Sequence, residues 1–514
     1  MIYMSGIKRG YFHSLLVVPV IALFCLGRAY SNELVIGTTF SPESLSYLIT
    51  EWEKQPNATS IRMLNRTSNS LNKLFDDEKN DNIDLVLSSS PMLFYHLQEK
   101  QRLAALPDKF SQGKKFVPEI LQKTTVAFSL SGCGIFSNVA LLENAEVDVP
   151  TDWSGLISPN LQGLVIMSSP SRSDTTHIMI EALLQKQGWQ QGWALIHQVM
   201  ANVGTISSRS FGVVDKVQAG LGAAGITIDN YANLLTHYNV DPHSALIFKY
   251  FPNFPVSPTF IAITTNSTNS RQASAFIHFL LSDPGQSTLY HSKMGKYPII
   301  PLAKSHPLYA TQQFLFSQPT IDYQLLLKRQ EVVKLMFEHQ IIHRLAQIQE
   351  NWKILYQKEQ QAGHPLPELR EILTALPITE KQATDENYLE TFKANEALLH
   401  WQHFFMLQQM RFVDTVENYE KWLKRLDIST SLQLSLIISA LFCLFIGAVG
   451  LYTWHQQRIE IDLAIDQNFP KIQAAFRMEE QINLLENTLL NANNIRNTEE
   501  KLNGLMRYRN KLKR

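Results

Sequence analysis

The sequence predicts an α/β fold of two lobes that face each other across a cleft, followed by an all-helical extension and one transmembrane helix. Three observations predict this order. Short apolar runs alternate with helix-like patterns as far as residue 281, which is typical of parallel strands joined by crossover helices. Several of these runs end in Ser or Thr, and two are followed by clusters that also contain Arg. Long helical stretches with few strand signals follow residue 319.

Composition excludes some functions before any motif is considered. The 514 residues carry 46 basic and 46 acidic side chains and are 45% hydrophobic, which indicates an electrically balanced chain of several domains. Because basic residues are not in excess, the composition does not indicate a nucleic-acid partner. The three cysteines, Cys25, Cys133 and Cys443, fall in unrelated segments and do not indicate a disulfide framework.

The first segment has the pattern of a secretory signal. Lys8 and Arg9 precede an apolar run at residues 15–26, and Ala29 and Ser31 are small residues at the positions that an export peptidase reads. The run is short for a membrane span, so we expect cleavage near Ser31. Residues 1–31 are therefore interpreted as a signal peptide and the mature chain as periplasmic.

The first lobe is predicted to carry polar loops after three strands, at residues 33–37, 61–64 and 83–87. In open parallel sheets, ligands bind beyond the carboxyl ends of the strands, so these loops should face one crevice. The candidate ligand-binding residues in them are Thr39, Ser41, Arg66, Thr67, Ser89 and Ser90.

The second lobe is predicted around the stretch SSPSRSDTTH, which follows an apolar run at residues 164–167 and precedes a helix. A strand, a polar loop and a helix N-terminus in this order form an anion site, because free backbone N–H groups and the positive helix end converge there. Arg side chains add donors suited to phosphate or carboxylate. The same residue types are also preferred N-caps, so a purely structural role stays open for each one. The candidates are Ser171, Arg172, Ser173, Thr175, Thr176, Ser208, Arg209, Ser210, Asp229, Asn230 and Tyr231.

The lobes are expected to be joined by strands that cross between them. Residues 126–130 are predicted to begin the second unit, and residues 223–228 to close it. Residues 260–264 and a helix at 271–281 then return the chain to the first unit, so residues 32–318 form both lobes.

Catalysis is not expected. No G-x-S-x-G, G-x-x-x-x-G-K-[ST] or H-E-x-x-H motif is present. The G-x-G-x-x-G at residues 220–225 follows a helix and precedes a strand, the reverse of a dinucleotide site. Asp174 and His177 lie one helical turn apart, but no nucleophile accompanies them. We expect no catalytic residues, no cofactor and no metal site.

The chain resembles bacterial periplasmic solute-binding proteins of the iron and phosphonate type through the motifs SSPSRSDTTH, TISSRSFGVVDKVQAGLGAAGITIDNYA, SPTFIAI and GKYPIIP. It is most similar to regulatory members of phosphoglycerate transport systems, through GTTFSPESL, LNRTSNSLNKL and LVLSSSPML. The resemblance implies a type 2 periplasmic-binding-protein fold, a phosphorylated three-carbon acid as ligand, and a membrane sensor histidine kinase as partner. The alternative is the solute receptor of an importer for an organophosphate, a phosphonate or ferric ion. Iron-binding members use adjacent tyrosines near the position of Tyr231, where this chain has one.

Residues 319–427 are predicted to form a helical extension, with long helices at 323–360 and 387–426. Two interpretations stay open: the extension contacts a partner helix, or it braces the lobes. His339 and His343, like His400 and His403, have spacings compatible with metal ligation, but packed or surface histidines are the favoured interpretation.

Residues 428–456 are predicted to contain a membrane span, with its apolar core at 432–453. Lys421, Lys424 and Arg425 precede it and Arg458 follows, so the positive-inside rule and export from the signal predict opposite orientations. Residues 457–514 form an amphipathic helical pattern that resembles the start of the sensor of the same regulatory system. We interpret this as a binding protein joined to a truncated sensor; an exported receptor with one stop-transfer helix is the alternative.

Overall fold

The computed structural model describes residues 33–77, 82–236, 246–291, 293–393, 396–426 and 441–460, and the single positions 474, 478 and 481. The predicted signal peptide and nearly all of the predicted C-terminal segment lie outside the described residues. The chain divides into two compact units, the first ending at Val416 and the second beginning at Glu417.

Strands and helices alternate through the first part of the chain and helices alone follow. The strands are β1 (Leu34–Thr38), β2 (Ile61–Asn65), β3 (Leu85–Ser88), β4 (Val126–Ser131), β5 (Cys133–Asn138), β6 (Val165–Ser168), β7 (Val203–Ser207), β8 (Ala224–Ile228), β9 (Leu246–Tyr250), β10 (Ser257–Ile263) and β11 (Tyr297–Pro298). The helices of the two lobes are α1 (Pro42–Glu53), α2 (Ser68–Asp76), α3 (Pro91–Glu99), α4 (Val139–Asn144), α5 (Asp174–Gln187), α6 (Trp189–Met200), α7 (Phe211–Gln218), α8 (Asp229–Thr236), α9 (Ser270–Leu281), α10 (Asp283–Leu289) and α11 (Tyr309–Phe316).

The first lobe is built on a six-stranded sheet with the order β11-β4-β10-β3-β1-β2. β1 pairs in parallel with β2 and β3, whereas β10 is antiparallel to β3 and β4. β1 is buried along its whole length: Leu34 and Ile36 belong to one core cluster and Val35 to another. A continuous apolar strand with opposite faces in two cores is what a parallel sheet covered on both sides requires.

The second lobe has a five-stranded sheet with the order β7-β6-β8-β5-β9. β6 is parallel to β7 and β8, and β5 is antiparallel to β8 and β9. The prediction of two α/β lobes is therefore confirmed. β7 and β9 were absent from the sequence prediction; they are the two edge strands of this sheet and are only partly buried.

One predicted lobe boundary is wrong. Residues 126–130 were expected to begin the second unit, but β4 pairs with β10 and β11 in the first sheet. The chain crosses to the second lobe at Gly132, between β4 and β5, and returns between β9 and β10. Strand periodicity does not reveal which sheet a strand joins, because both sheets bury it equally.

The described part of the extension is helical throughout its regular elements, as predicted, but its first long helix is interrupted. A π-helical turn at Phe337–Ile341 and a 3-10 turn at Ile342–Arg344 break the helix predicted at residues 323–360. The wider turn allows Phe337, Gln340 and Ile341 all to be buried. The helices are α12 (Tyr323–Met336), α13 (Leu345–Ala362), α14 (Pro367–Thr374), α15 (Glu380–Ala383), α16 (Glu386–Lys393) and α17 (Glu396–Leu426).

The extension packs on the second lobe through side chains of α5 and α6. Arg329 on α12 forms a fully buried ion pair with Glu181 on α5, with 2.7 Å between Nη2 and Oε1. The indole of Trp352 donates to His197 Nδ1 at 2.9 Å, and that of Trp189 donates to the carbonyl of Ile378 at 3.2 Å. One side of the extension therefore braces the second lobe, which is one of the two interpretations that the sequence left open.

The helix α17 has two different faces. Its buried face carries Trp401, Phe405, Gln408 and Phe412, and the amide of Gln408 donates to backbone carbonyls of α14. Its exposed face carries an apolar stripe at helical spacing: Leu399, Met406, Leu407, Met410 and Val413. Exposed apolar residues arranged along one helix face are typical of a contact surface.

The predicted membrane span is only partly described. Residues 441–460 form a helix with exposed apolar side chains such as Leu441, Phe442 and Phe445, whereas residues 428–440 lie outside the described residues. Within the described ranges, no helix is both long enough and apolar enough to cross a membrane. The span stays a prediction.

Candidate functional site

A cleft of about 590 Å³ opens where the two lobes meet, at the carboxyl ends of β1, β2 and β3 on one side and of β6, β7 and β8 on the other. This is the edge at which open parallel sheets bind ligands. The predicted site residues that line it are Thr39, Ser41, Thr67, Ser89, Ser90, Ser171, Arg172, Ser173, Thr175, Ser208, Arg209, Ser210, Asn230 and Tyr231.

Several helix N-termini point into the cleft. Ser41, Thr67, Ser90 and Ser173 are the N-caps of α1, α2, α3 and α5, and each side chain accepts a hydrogen bond from its own helix. A structural role as an N-cap and a role in ligand binding are thus compatible for these residues, because a capping residue at this edge also lies on the cleft wall. The positive ends of the helices make the cleft attractive to an anion.

Cationic side chains from several segments reinforce this potential. Arg172 and Arg209 come from the second lobe, Lys296 from the loop before β11, and Lys334 from α12 of the extension. Among the described lining residues, Asp174 is the carboxylate that opposes them. The excess of positive charge favours a ligand with more than one negative charge.

Two hydrogen bonds cross the cleft from lobe to lobe. The hydroxyl of Ser68 on α2 donates to the carboxylate of Asp174 on α5. The Arg209 guanidinium donates to the carbonyl of Thr39 at 3.4 Å. Arg209 therefore both lines the cleft and contacts the other lobe.

Some cleft hydroxyls have no internal hydrogen bond. Ser171 Oγ and Ser257 Oγ are buried and make no hydrogen bond to any described residue. A buried hydroxyl without a partner costs free energy, so polar groups of this kind are typical of binding sites.

Three predicted site residues do not line the cleft. Arg66 is exposed and donates to the carbonyl of its neighbour Asn65 at 2.9 Å. Thr176 points into the second lobe, where its hydroxyl hydrogen-bonds to that of Ser168. Asp229 is fully buried beneath the cleft. The sequence placed all three just beyond the correct strands, but Thr176 and Asp229 lie in the first turns of α5 and α8, and their positions around those helices turn them away from the cleft.

Asp229 instead belongs to the crossing between the lobes. Its Oδ2 accepts from the backbone N–H of Gly132 at 2.7 Å and from the hydroxyl of Tyr250 at 3.0 Å, and both donors adjoin segments that connect the sheets. Burial raises the pKa of Asp229 to about 7, against the lowering effect of these donors and of Lys296. Burial also lowers the pKa of Lys296 to about 8.

The raised pKa of Asp229 predicts a pH dependence of stability. A carboxyl whose folded pKa lies above its unfolded value stabilises the fold below the unfolded pKa, and this contribution is lost as pH rises through the folded pKa. We expect the free energy of unfolding of the unmodified protein, relative to D229N, to fall as pH rises from 3.8 towards about 7. Urea denaturation of both proteins across this pH range measures the difference in their free energies of unfolding. A difference that does not change with pH would contradict the effect of burial on Asp229.

The cleft also contains residues that the sequence prediction missed. Lys296 lies within the motif GKYPIIP, so a signal was present but its role was not recognised. Asp174 was considered only as a partner of His177, which is fully buried and whose pKa is lowered to about 3 by burial. Lys334 had no local signal, because it reaches the cleft from a helix far along the chain. The other additions are Phe40, Asn65, Ser68, Asn69, Ser88, Phe211, Ile228 and Ser257.

Comparison with known proteins is consistent with this geometry. The model of the bacterial extracellular solute-binding protein family matches residues 80–323. The phosphoglycerate transport regulatory protein PgtC of Salmonella typhimurium is 45% identical over 394 residues, which cover 76% of this chain and 98% of PgtC. This chain belongs to the PgtC family. It is a regulatory, solute-binding protein and not an enzyme, as predicted, and an extracellular solute-binding domain fits the periplasm.

A second relative matches a different part of this PgtC-family chain. The phosphoglycerate transport system sensor protein PgtB of Salmonella typhimurium is 39% identical over 62 residues, which are 12% of this chain and 9% of PgtB. This match to a C-terminal segment is weaker than the match to PgtC.

Solved structures confirm the two-lobed periplasmic-binding fold. The periplasmic binding protein AfuA from Actinobacillus pleuropneumoniae superposes with a TM-score of 0.52 at 16% identity, over 60% of this chain and 97% of that one. The periplasmic binding protein P5PA gives a TM-score of 0.51 at 17% identity, over 59% of this chain and 98% of that one. At such identities the likeness describes the fold alone.

Proposed function

We propose that this PgtC-family protein is a periplasmic sensor of a phosphorylated three-carbon acid, either phosphoglycerate or phosphoenolpyruvate. It acts with a membrane sensor histidine kinase to induce expression of the phosphoglycerate transporter. The observation that carries the proposal is the cleft, in which helix N-termini and cationic side chains from both lobes surround a space of about 590 Å³. Such a space suits a small anion with both a phosphate and a carboxylate.

The strength of such a site is compatible with a metabolite sensor. A hydrogen bond to a charged group contributes about 1.5–3 kcal/mol. Micromolar affinity corresponds to about 8 kcal/mol, so four or five such bonds are enough. Arg172, Arg209 and Lys296, together with the N-terminal amides of the helices, offer more donors than that.

The first test is calorimetric titration of the protein with 3-phosphoglycerate, 2-phosphoglycerate, phosphoenolpyruvate, aminoethylphosphonate and ferric citrate. Micromolar binding of a phosphorylated three-carbon acid would support the proposal. Binding of only the phosphonate or ferric citrate would support the alternative, a receptor of an importer for those solutes. No binding of any of them would reject the proposed ligand class.

A second test separates regulation from delivery of the solute. A strain without this protein should lose inducible uptake of phosphoglycerate, and constitutive expression of the transporter should restore that uptake. If uptake stays low although the transporter is present, the protein delivers solute rather than regulating expression.

The exposed stripe of α17 is our candidate for the contact with the sensor, and an amphipathic helix of the sensor is its proposed occupant. The stripe repeats at helical spacing, which suits packing against another helix. The similarity of one chain to both PgtC and the sensor PgtB supports a functional pair. We further propose that residues 432–453 associate the protein with the membrane, near such a partner.

We expect M406E combined with M410E to abolish induction while ligand affinity stays unchanged, since both side chains are exposed and outside the cleft. A charge in an apolar helix contact opposes association. Reporter expression from the transporter promoter, measured beside calorimetry, is the readout. Full induction in the double variant would reject the stripe as the contact; K421E, on the same helix, is the control.

A further inference from the structure

The extension contributes a cation to the cleft. Lys334 lies on α12, beyond the residues 80–323 that match the solute-binding family, yet it lines the same cleft as Arg172. Its side chain is 19% exposed, and its Nζ lies 3.0 Å from the carboxylate of Glu331, which is 71% exposed. An exposed ion pair of this kind contributes little, so Lys334 can bind an anion in the cleft at small cost.

One helical turn further along, the extension contacts the loop at residues 169–175, which carries Arg172 and is called the binding loop below. The hydroxyl of Ser169 donates to Glu338 Oε1 at 3.1 Å, and Ser169 is buried. The same hydroxyl accepts a hydrogen bond from the backbone N–H of Ser171 at 3.2 Å. The Ser169 carbonyl accepts one from the backbone N–H of Arg172 at 3.2 Å. Glu338 therefore fixes the residue around which the Arg172 loop is folded.

Glu338 also belongs to the π-helical turn at Phe337–Ile341, the irregular part of the extension. Turns of this kind often occur at functional positions, since a helix can change its hydrogen-bond pattern there at small cost. The cleft, the binding loop and this turn are thus joined by contacts between described residues, with no gap between them.

We propose that the extension is part of the ligand site: Lys334 binds the anionic ligand directly, and Glu338 positions the loop that carries Arg172. Occupancy of the cleft is thereby communicated to the turn at residues 337–344. This inference rests on the proposed function and deepens it, because it identifies where the regulatory part of the chain detects the ligand.

The direct test compares Lys334 with a lysine on the same helix. K334Q should weaken binding of 3-phosphoglycerate by about tenfold, which corresponds to the loss of one charge-assisted hydrogen bond. K334R should restore binding to within about threefold, since it keeps the charge. K328Q removes an exposed lysine of α12 outside the cleft and should bind as the unmodified protein does. E331Q releases Lys334 from its partner and should bind at least as tightly.

The communication is tested by hydrogen–deuterium exchange of the full chain. In the unmodified protein, saturating 3-phosphoglycerate should slow exchange both in the loop at residues 169–175 and in the turn at 337–344. In E338A, saturating ligand should still protect the loop but no longer the turn. A merely structural role of Glu338 would change exchange in the turn equally with and without ligand.

Different failures have different meanings. Equal affinities of K334Q, K328Q and the unmodified protein would overturn the assignment of Lys334 and leave the proposed function intact. Ligand-dependent protection of the turn that persists in E338A would overturn the role of Glu338. Absence of binding by the unmodified protein would overturn the proposed function and this inference with it.

Discussion

Replacing Arg172 or Arg209 with Ala should weaken the binding of 3-phosphoglycerate by roughly 10- to 100-fold, whereas R271A should leave it unchanged. Both arginines line the cleft, and Ala cannot replace the charge-assisted hydrogen bonds that we propose each of them makes to the ligand. Arg271 is exposed on α9 and does not line the cleft. Calorimetric titration of the three variants measures the effect.

The lysine variants refine this result. R172K and R209K keep the charge but lose the planar pair of donors, so an intermediate loss of affinity would indicate paired hydrogen bonds to the ligand. Arg209 also donates to Thr39 across the cleft, so R209A should in addition reduce ligand-dependent lobe closure in solution scattering. Equal loss of affinity in all three alanine variants would contradict the assignment of the site.

R329M should lower the free energy of unfolding by about 3–5 kcal/mol, because it leaves the carboxylate of Glu181 buried without its cation. Both side chains are fully buried, and the Arg329 Nε lies 2.9 Å from Glu181 Oε1. Arg329 also contacts Glu380, which is 52% exposed, at 2.8 Å. E380Q should therefore cost only about 0–1 kcal/mol. Chemical denaturation followed by tryptophan fluorescence compares the two.

A double variant shows whether the loss comes from the unpaired charge. R329M combined with E181L replaces the pair by apolar side chains of similar size and should recover much of the stability that R329M loses. If R329M and E380Q were equally stable, the buried pair would not be what anchors the extension to the second lobe.

Periodicity predicted most of the fold, because alternating strands and helices leave a strong pattern in the chain. β1 and β6 were recognisable as apolar runs followed by hydroxyl residues, and α12 and α17 by their helical spacing. The lobe to which β4 belongs was not predictable in this way. Its residues are apolar in either sheet, and its pairing with β10 joins residues far apart in sequence.

The site was predictable to the level of its loops. Strand–loop–helix junctions place side chains such as Ser90, Arg172 and Arg209 at one edge of the sheets regardless of further detail. Whether a side chain faces the cleft or the core depends on its position around the helix or turn that carries it. Thr176 therefore points inwards, although Thr175 next to it lines the cleft.

By itself, the sequence determined the two α/β lobes, the polar and positively charged character of the cleft and the presence of a helical extension, because each depends on local patterns of apolar, hydroxyl and basic residues. Only the tertiary structure decided that Asp229 lies at the crossing between the lobes, that Lys334 lines the cleft and that Glu338 reaches the loop that carries Arg172. Such contacts join residues far apart in the chain, as Ser169 and Glu338 are, and packing alone brings them together.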